Sequence, residues 1–400
     1  MVRVRSSVST RLNRDATRLV SLALSLSRSG SRVEDVYWEK LLADTISKLL
    51  RNTQDATLEA ALEHLAQQDI GAYEVLIEQA ETLSESMQIE KAGQLHDVLL
   101  IVIPIAAWTR YTIPTGPLPE SAIQTLAAHL HGHVLAEGTQ VAVMPQLVSI
   151  DQMPRTFSET WQWMQRLGHH ALGLDAPKPA MNKADEPTNM LADTRYVVAS
   201  VTTPAGAPIF RWQEAPGVEE NSREACLAQW VAQAQPTIAT LMPGCGIECL
   251  LPDAYYVSNR EADRRVRPMS LRAAVTWLEG ALDASASELR AVVAGCGETR
   301  IEEYRVGFTV RNNNDVVYGC IWPVYGREDD TGEDDSQPGV VDQIAAHLKE
   351  YGVHEVRHIP GVLLPEFCED CGAPAFPNPL GELVHAELPE DANTAPAKFH

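Results

Sequence analysis

The residues of this chain best placed to do chemistry lie near its C-terminus, where two residues separate Cys368 from Cys371 and His385 follows in the same short stretch. CxxC spacing lets one tight turn present two thiolates to a tetrahedral metal, and Gly372 and Pro374 supply turn-forming residues behind it. Phe376 to Pro379 with Gly381 would close a hairpin whose return strand carries His385. This is the layout of half a zinc ribbon, with a histidine where a second cysteine pair would sit and with no visible fourth ligand. Zinc held by Cys368, Cys371 and His385 is one reading, and a metal-free turn with reduced thiols is the other. A thioredoxin-like redox motif fits less well, because that CxxC opens a helix and Pro374 argues against one.

Could Cys245 and Cys249 complete the set? If Leu250-Leu251-Pro252 and Leu363-Leu364-Pro365 occupy equivalent places, Cys368 corresponds to Tyr255, roughly 20 Å of extended chain beyond Cys249. A local site is therefore expected, its fourth ligand an acidic side chain, a water or a partner chain. His354-Glu355-Val356-Arg357-His358 matches HExxH, which serves a metalloprotease only on a helix, where both imidazoles share a face and the glutamate acts as base. Gly352 and Pro360-Gly361 leave no room for that helix, so extended chain is expected. His129, His131 and His133 read as surface or cap histidines near a helix end. Gly244-Cys245-Gly246 precedes a strand and lacks the helix N-terminus that would hold a pyrophosphate. No Walker loop or GxSxG elbow occurs, and no catalytic residue is assigned. Trp161, Trp163, Trp230 and Trp277 sit in helical patterns and read as core or interface.

The elements that position these residues follow from periodicity. Apolar residues at three-and-four spacing predict helices from Asp15, from Val36 to Leu50, over Thr57 to Gln67 and over Ala72 to Met87. The Val98–Trp108 run, VLLIVIPIAAW, reads as a fifth, buried helix, and Glu120 to Val134 as a sixth. Gln140 to Ser149 then predicts a strand and Ser158 to Leu167 a helix. Tyr196 to Thr202 and Ile209 to Trp212 flank a Pro204-Ala205-Gly206 turn as a hairpin, and a helix over Ser222 to Ala234 leads to a strand-like Gly246 to Tyr256. Next come a helix over Ser270 to Leu282, a strand over Leu289 to Ala294, and a strand in which Tyr304, Val306 and Phe308 alternate with Arg305 and Thr309 as a half-buried strand should. A turn at Asn312 to Asp315 closes a hairpin with Val316 to Trp322, and the last helix spans Val340 to Glu350.

Trp212 and Trp322, and the segments Met242-Pro243-Gly244 and Ile359-Pro360-Gly361, recur at offsets of about 110 residues. That predicts an internal duplication of a strand-helix-hairpin-helix-strand unit. The expected class is α+β: a basic disordered arm (1–14), an α-helical domain (15–136), two tandem ferredoxin-like units of βαββαβ type (137–257 and 258–366), a cysteine knuckle (367–388) and an acidic tail (389–400).

Fifty-four acidic against thirty-two basic side chains give a formal charge of −22, which repels phosphate backbones and argues against a nucleic-acid partner. The Val98–Trp108 run is too short to span a membrane, no secretory signal is visible, and seven cysteines without an export signal suggest reduced thiols in the cytoplasm. The stretches FCEDCGAPAFPNPLGELVHAE (367–387) and RLNRDATRLVSLALSLSRSGSRVEDVYWE (11–39) give a chain that resembles, over nearly its whole length, a bacterial family of unknown function, DUF2863. The resemblance implies a full-length bacterial protein and brings no activity, substrate or catalytic residues with it. The expectation is a non-enzymatic cytoplasmic protein, a homo-oligomer being compatible, that binds a protein partner or small ligand at the junction of its α+β units. Its knuckle would be structural and, if metal-bound, a zinc site. The alternatives are a metal-dependent hydrolase using His354, Glu355 and His358 and a thiol redox sensor using Cys368 and Cys371.

Overall fold

The computed structural model describes residues 12–109, 112–179, 181, 191–214, 217–298, 300–325, 328 and 338–393. Most of the basic arm, the acidic insert beyond Glu328 and the end of the acidic tail lie outside these residues. Four helices come first: α1 (Arg14–Ser27), α2 (Arg32–Arg51), α3 (Asp55–Gln68) and α4 (Ile70–Glu85). Asn13, Ser31 and Asp69 each accept an amide N–H from the first turn of α1, α2 and α4, satisfying donors that a helix start leaves open. Their apolar stripes close one core around Leu19, Leu42, Ile46, Leu58 and Leu76.

The first sheet begins with a hairpin of β1 (Ser86–Lys91) and β2 (Gln94–Trp108). The chain continues through β3 (Gly116–Pro117), α5 (Glu120–His133), β4 (Gln140–Val148), α6 (Phe157–Ala171), β5 (Ala192–Pro204), the short α7 (Arg211–Glu214), α8 (Arg223–Leu241), β6 (Gly246–Cys249) and β7 (Asp253–Ala254). The strands lie in the order β1-β2-β5-β4-β3, β6 and β7 also pair with β2, and every pairing is antiparallel. Helices α5 and α8 cover one face through Leu126, Leu130, Trp230 and Ile238; α6 and the start of the next helix cover the other through Trp163, Met164 and Tyr255.

The VLLIVIPIAAW run is therefore the centre of a sheet and not a fifth helix. Ile101, Ile103 and Ile105 face one core while Val98, Leu100 and Val102 face the other, so burial on both sides erases the alternation that marks a strand. Pro104 fits because β6 and β7 leave a gap opposite it, where its carbonyl accepts the Leu250 amide at 3.1 Å and no donor is needed. The expected hairpin between Tyr196–Thr202 and Ile209–Trp212 does not form. Strand β5 already has β2 and β4 on its two edges, and residues 211–214 turn into α7 instead.

Helix α9 (Tyr255–Leu282) starts fifteen residues before the predicted Ser270, and its 28 residues make a beam about 42 Å long. Tyr255 and Ala262 sit in the first sheet's core; Leu271, Ala274, Val275 and Leu278 sit in the second's. At its start Glu85, the last residue of α4, accepts the Tyr256 amide at 2.9 Å, and Arg260 reaches Glu81 at 2.7 Å. After it come β8 (Leu289–Cys296), β9 (Glu303–Val310), β10 (Tyr318–Pro323), α10 (Val340–Glu350), β11 (Glu355–Leu363), β12 (Phe376–Pro377) and β13 (Leu383–Val384). The second sheet has the order β10-β9-β8-β11, an antiparallel meander to which β11 adds in parallel with β8.

The two sheets are wound differently, and the predicted duplication does not hold in their connectivity. A helix separates β2 from β4, whereas β8 passes into β9 without one, and β11 is parallel where a repeat of the first unit would be antiparallel. The matching tripeptides do unrelated jobs. Met242-Pro243-Gly244 follows the end of α8, while Ile359-Pro360-Gly361 forms the bulge inside β11.

Candidate functional site

The predicted ligand set is brought together. The Sγ atoms of Cys368 and Cys371 and a ring nitrogen of His385 lie within 4.8 Å of one another, and these three residues could hold a metal ion. The turn between the cysteines closes with the Gly372 amide on the Cys368 carbonyl at 2.9 Å, and Gly372 takes the left-handed φ of 72° that a Cβ would oppose. Phe367 bridges to Pro374, and pairing of Phe376 with Val384 brings the return segment alongside, which sets His385 beside Cys371 with Nε2 3.3 Å from its sulfur. On the other side of the ring, Nδ1 is 3.3 Å from Glu387 Oε1. A carboxylate behind an imidazole fixes the tautomer and turns the other nitrogen outward, as metal-bound histidines require. Amides of Cys371 and Asp370 donate to the Cys368 sulfur and hold its thiol below the usual range, the direction a metal-bound thiolate needs.

The segment that carries these residues is seated on the second sheet. Arg305 of β9, fully buried, donates from Nη1 to the Glu366 carbonyl at 2.6 Å and the Ala375 carbonyl at 2.7 Å, pairs through Nε with Glu303, and lies 5.0 Å from the Phe367 ring centre. Gly307 and Gly319 make room: a Cβ on Gly307 would stand 2.2 Å from the Pro377 carbonyl oxygen, and one on Gly319 would meet the Phe376 ring. So β9 is covered on both faces, by α9 and α10 on one side and residues 366–378 on the other. The expectation of a half-buried strand with Arg305 and Thr309 in solvent is corrected accordingly, since both are fully buried.

Other sequence candidates are kept apart. His354 precedes β11 and His358 lies within it, as extended chain predicted; four steps along the chain at ~3.3 Å each set them about 13 Å apart, too far to share an ion. Glu355 is engaged by Arg290 at 2.5 Å and Arg311 at 3.3 Å, which leaves it no role as a base. The hydrolase arrangement is absent from these residues. Cys249 is buried and its thiol pushed up to about 12, Cys245 is raised by burial as well, and neither joins the C-terminal group. His129 and His133 stack at 5.9 Å on α5, and burial lowers the pKa of His129 and His131, in keeping with surface and cap positions.

Sequence reasoning missed Glu387, Arg305 and a cavity. The carboxylate two residues beyond His385 was a visible signal; Arg305 was not, because its burial depends on a segment sixty residues away. The cavity, about 700 Å³, opens between the end of the first sheet and helices α9 and α10, with Trp108, Glu248, Arg265, Arg272, Trp277 and His347 among its lining. No sequence signal marks it, because the periodicity shows α9 only from Ser270 onward.

The described residues thus define a mixed α and β protein, helices preceding sheets, with a dithiol–imidazole group that could hold a metal ion. Among them no helix is long and apolar enough to cross a membrane. The chain belongs to the family described as protein of unknown function DUF2863, whose profile matches residues 4–399. No curated protein and no solved structure matches it.

Proposed function

We propose that this is a non-enzymatic, cytoplasmic bacterial protein that binds a small ligand at the junction of its two sheets, with its C-terminal knuckle acting as a zinc-bound staple. The observation that carries the reading is the junction cavity, whose volume of about 700 Å³ falls within the ~300–1,000 Å³ range of small-molecule sites. It is built from β2, β6, α9 and α10, so occupancy would join the two sheets. A ferredoxin-like description of the first sheet is supported by its strand arrangement β6-β2-β5-β4, though from β2 onward and not over 137–257. There β2, α5, β4, β5, α8 and β6 give a βαββαβ order once β3 and the helix α6, inserted between β4 and β5, are set aside. Zinc is favoured by the donor set, two thiolates and an imidazole, the soft and borderline ligands that select it.

Elemental analysis of untagged protein beside Cys368→Ser, together with a fragment screen by ligand-observed NMR, tests both parts. Zinc near one equivalent in the first protein and none in the second, with both folded enough to bind cavity ligands, is the expected result. Zinc in neither would remove the staple; no competable fragment at the junction would remove the ligand site. A second reading, thiol redox sensing, is supported by the lowered thiol of Cys368 beside an exposed Cys371. A reversible disulfide in thiol titration of zinc-free protein would favour it, and its absence would end it.

A further inference from the structure

We infer that the junction cavity takes a planar aromatic ring carrying one negative charge, of the class of aromatic and heteroaromatic carboxylates. The inference rests on the cavity being a ligand site and adds what that ligand must look like.

The ring specificity comes from how the walls are built. Trp108, the last residue of β2, is 41% exposed, high for the largest apolar side chain. It pairs in register with Gly246 of β6, and a Cβ there would lie 2.3 Å from the indole Cε2. The indole therefore rests directly over backbone that only glycine leaves clear, which presents Trp108 to the cavity as a fixed aromatic surface. On α9, Trp277 is set against Tyr318 at 5.3 Å, and at the end of α10 the ring of His347 stacks on that of Tyr351, the residue after the helix, 6.1 Å apart with 19° between planes. Pro268, Met269 and Ala273 complete an apolar floor along one stripe of α9. Preset aromatic surfaces with an apolar floor suit a flat ring, which gains from offset or edge-to-face contacts beyond the area it buries.

The charge specificity comes from counting partners. Glu248 is spent on Arg265, which grips it with Nε at 2.8 Å and Nη2 at 2.6 Å. Glu350 stands at the rim with its side chain 72% exposed, 3.9 Å from His347 Nδ1. Arg272, seven residues beyond Arg265 on the same stripe of α9, has no ion pair or hydrogen bond among the described residues. Among those residues the cavity thus holds one cation left without a carboxylate, and a guanidinium donates two parallel N–H bonds to a carboxylate. The net charge of −22 does not overrule this local preference, because surface charges are screened within about 8 Å at physiological salt.

Three ligands of one shape and different charge test the inference on the full-length chain: indole-3-carboxylate, indole-3-carboxamide and tryptamine, titrated by NMR against wild type, Arg272→Gln and Trp108→Leu. Wild type is expected to bind the carboxylate at least tenfold more tightly than the amide and to bind the amine least. Arg272→Gln, an exposed position, is expected to bring the carboxylate down to the amide's affinity; Trp108→Leu is expected to weaken both together. Equal binding of carboxylate and amide by wild type, or discrimination that survives Arg272→Gln, would overturn the charge assignment and leave the ligand site standing. If none of the three binds, the inference and the ligand-binding reading beneath it both fall.

Discussion

Arg305 Nη1 donates to the carbonyl oxygen of Ala375 at 2.7 Å, across seventy residues of sequence and with no solvent access to the guanidinium. The same nitrogen reaches Glu366 O at 2.6 Å, so one side chain holds both ends of the segment that contains the cysteine turn. Truncating it leaves the Ala375 carbonyl without a donor and Glu303 without its cation, while the Glu366 carbonyl keeps only the Ala375 amide at 2.9 Å. Arg305→Met is expected to lose about 3 kcal/mol of stability, from the cost of unpaired buried groups. Urea unfolding monitored beside amide exchange in residues 366–378 measures it, and Arg305→Lys should recover only part of the loss because it lacks the planar fork. An unchanged midpoint for Arg305→Met would mean that the segment is held by something else.

The same seat can be broken without touching a charge. Gly307 faces the Pro377 carbonyl so closely that any Cβ collides with backbone, which cannot swing aside as a side chain would. Gly307→Val is expected to lift residues 366–378 from β9 at a cost of about 1–3 kcal/mol, the range for overpacking. The readout is limited proteolysis. Cleavage between Leu364 and Val384 should appear in the variant under conditions that leave wild type whole, while the helical core around Leu42 stays protected.

Glu387 does not touch the sulfur atoms, yet its contact with His385 Nδ1 makes it a positioning residue for any metal at Cys368 and Cys371. Glu387→Gln is expected to weaken metal binding about 10–100-fold, the usual effect of removing a carboxylate behind a metal-bound histidine. Competition with a chromophoric chelator gives the affinity directly. Cobalt substitution supplies a second readout, since the ligand-field bands of a two-thiolate, one-imidazole site should persist in the variant. Unchanged affinity would reduce Glu387 to a surface neighbour.

How far the sequence reveals this molecule depends on distance along the chain. Cys368, Cys371 and His385 assemble as expected because one turn and one short hairpin suffice to join them. The helices α1 to α4 and the extended HEVRH segment were legible for the same reason, their signals being caps, stripes and breakers within a few residues. Strand β2 was not, because a strand buried on both faces carries the same unbroken apolar run as a buried helix, and only Pro104 argued otherwise. Nor was the parallel entry of β11, which depends on α10 crossing back over the sheet. Arg305 looks like a solvent residue in its own strand, and only the arrival of residues 366–378 makes it a buried one.

The contact between Glu85 and Tyr256 gives the fold a pH dependence. Glu85 is nearly buried at the junction of α4 and α9, and burial raises its pKa from 4.5 to about 7 despite the Tyr256 amide, with Glu81, Arg260 and Asp253 as charged neighbours. A carboxyl whose folded pKa lies above its unfolded value binds its proton more tightly in the native state. Its contribution is therefore complete below the unfolded pKa and is lost as pH rises through about 7. A tenfold change in proton affinity is worth ~1.4 kcal/mol, so the loss amounts to a few kcal/mol at most. Glu81 and Asp263 are also raised by burial and act in the same direction. Between pH 5 and 8 the wild-type melting temperature should fall, and Glu85→Gln, which keeps an oxygen for the Tyr256 amide but no ionisable group, should flatten that slope while stabilising the protein at pH 8. A Glu85→Gln profile parallel to wild type would show that Glu85 does not titrate in this window, and the slope would then belong to Glu81 and Asp263.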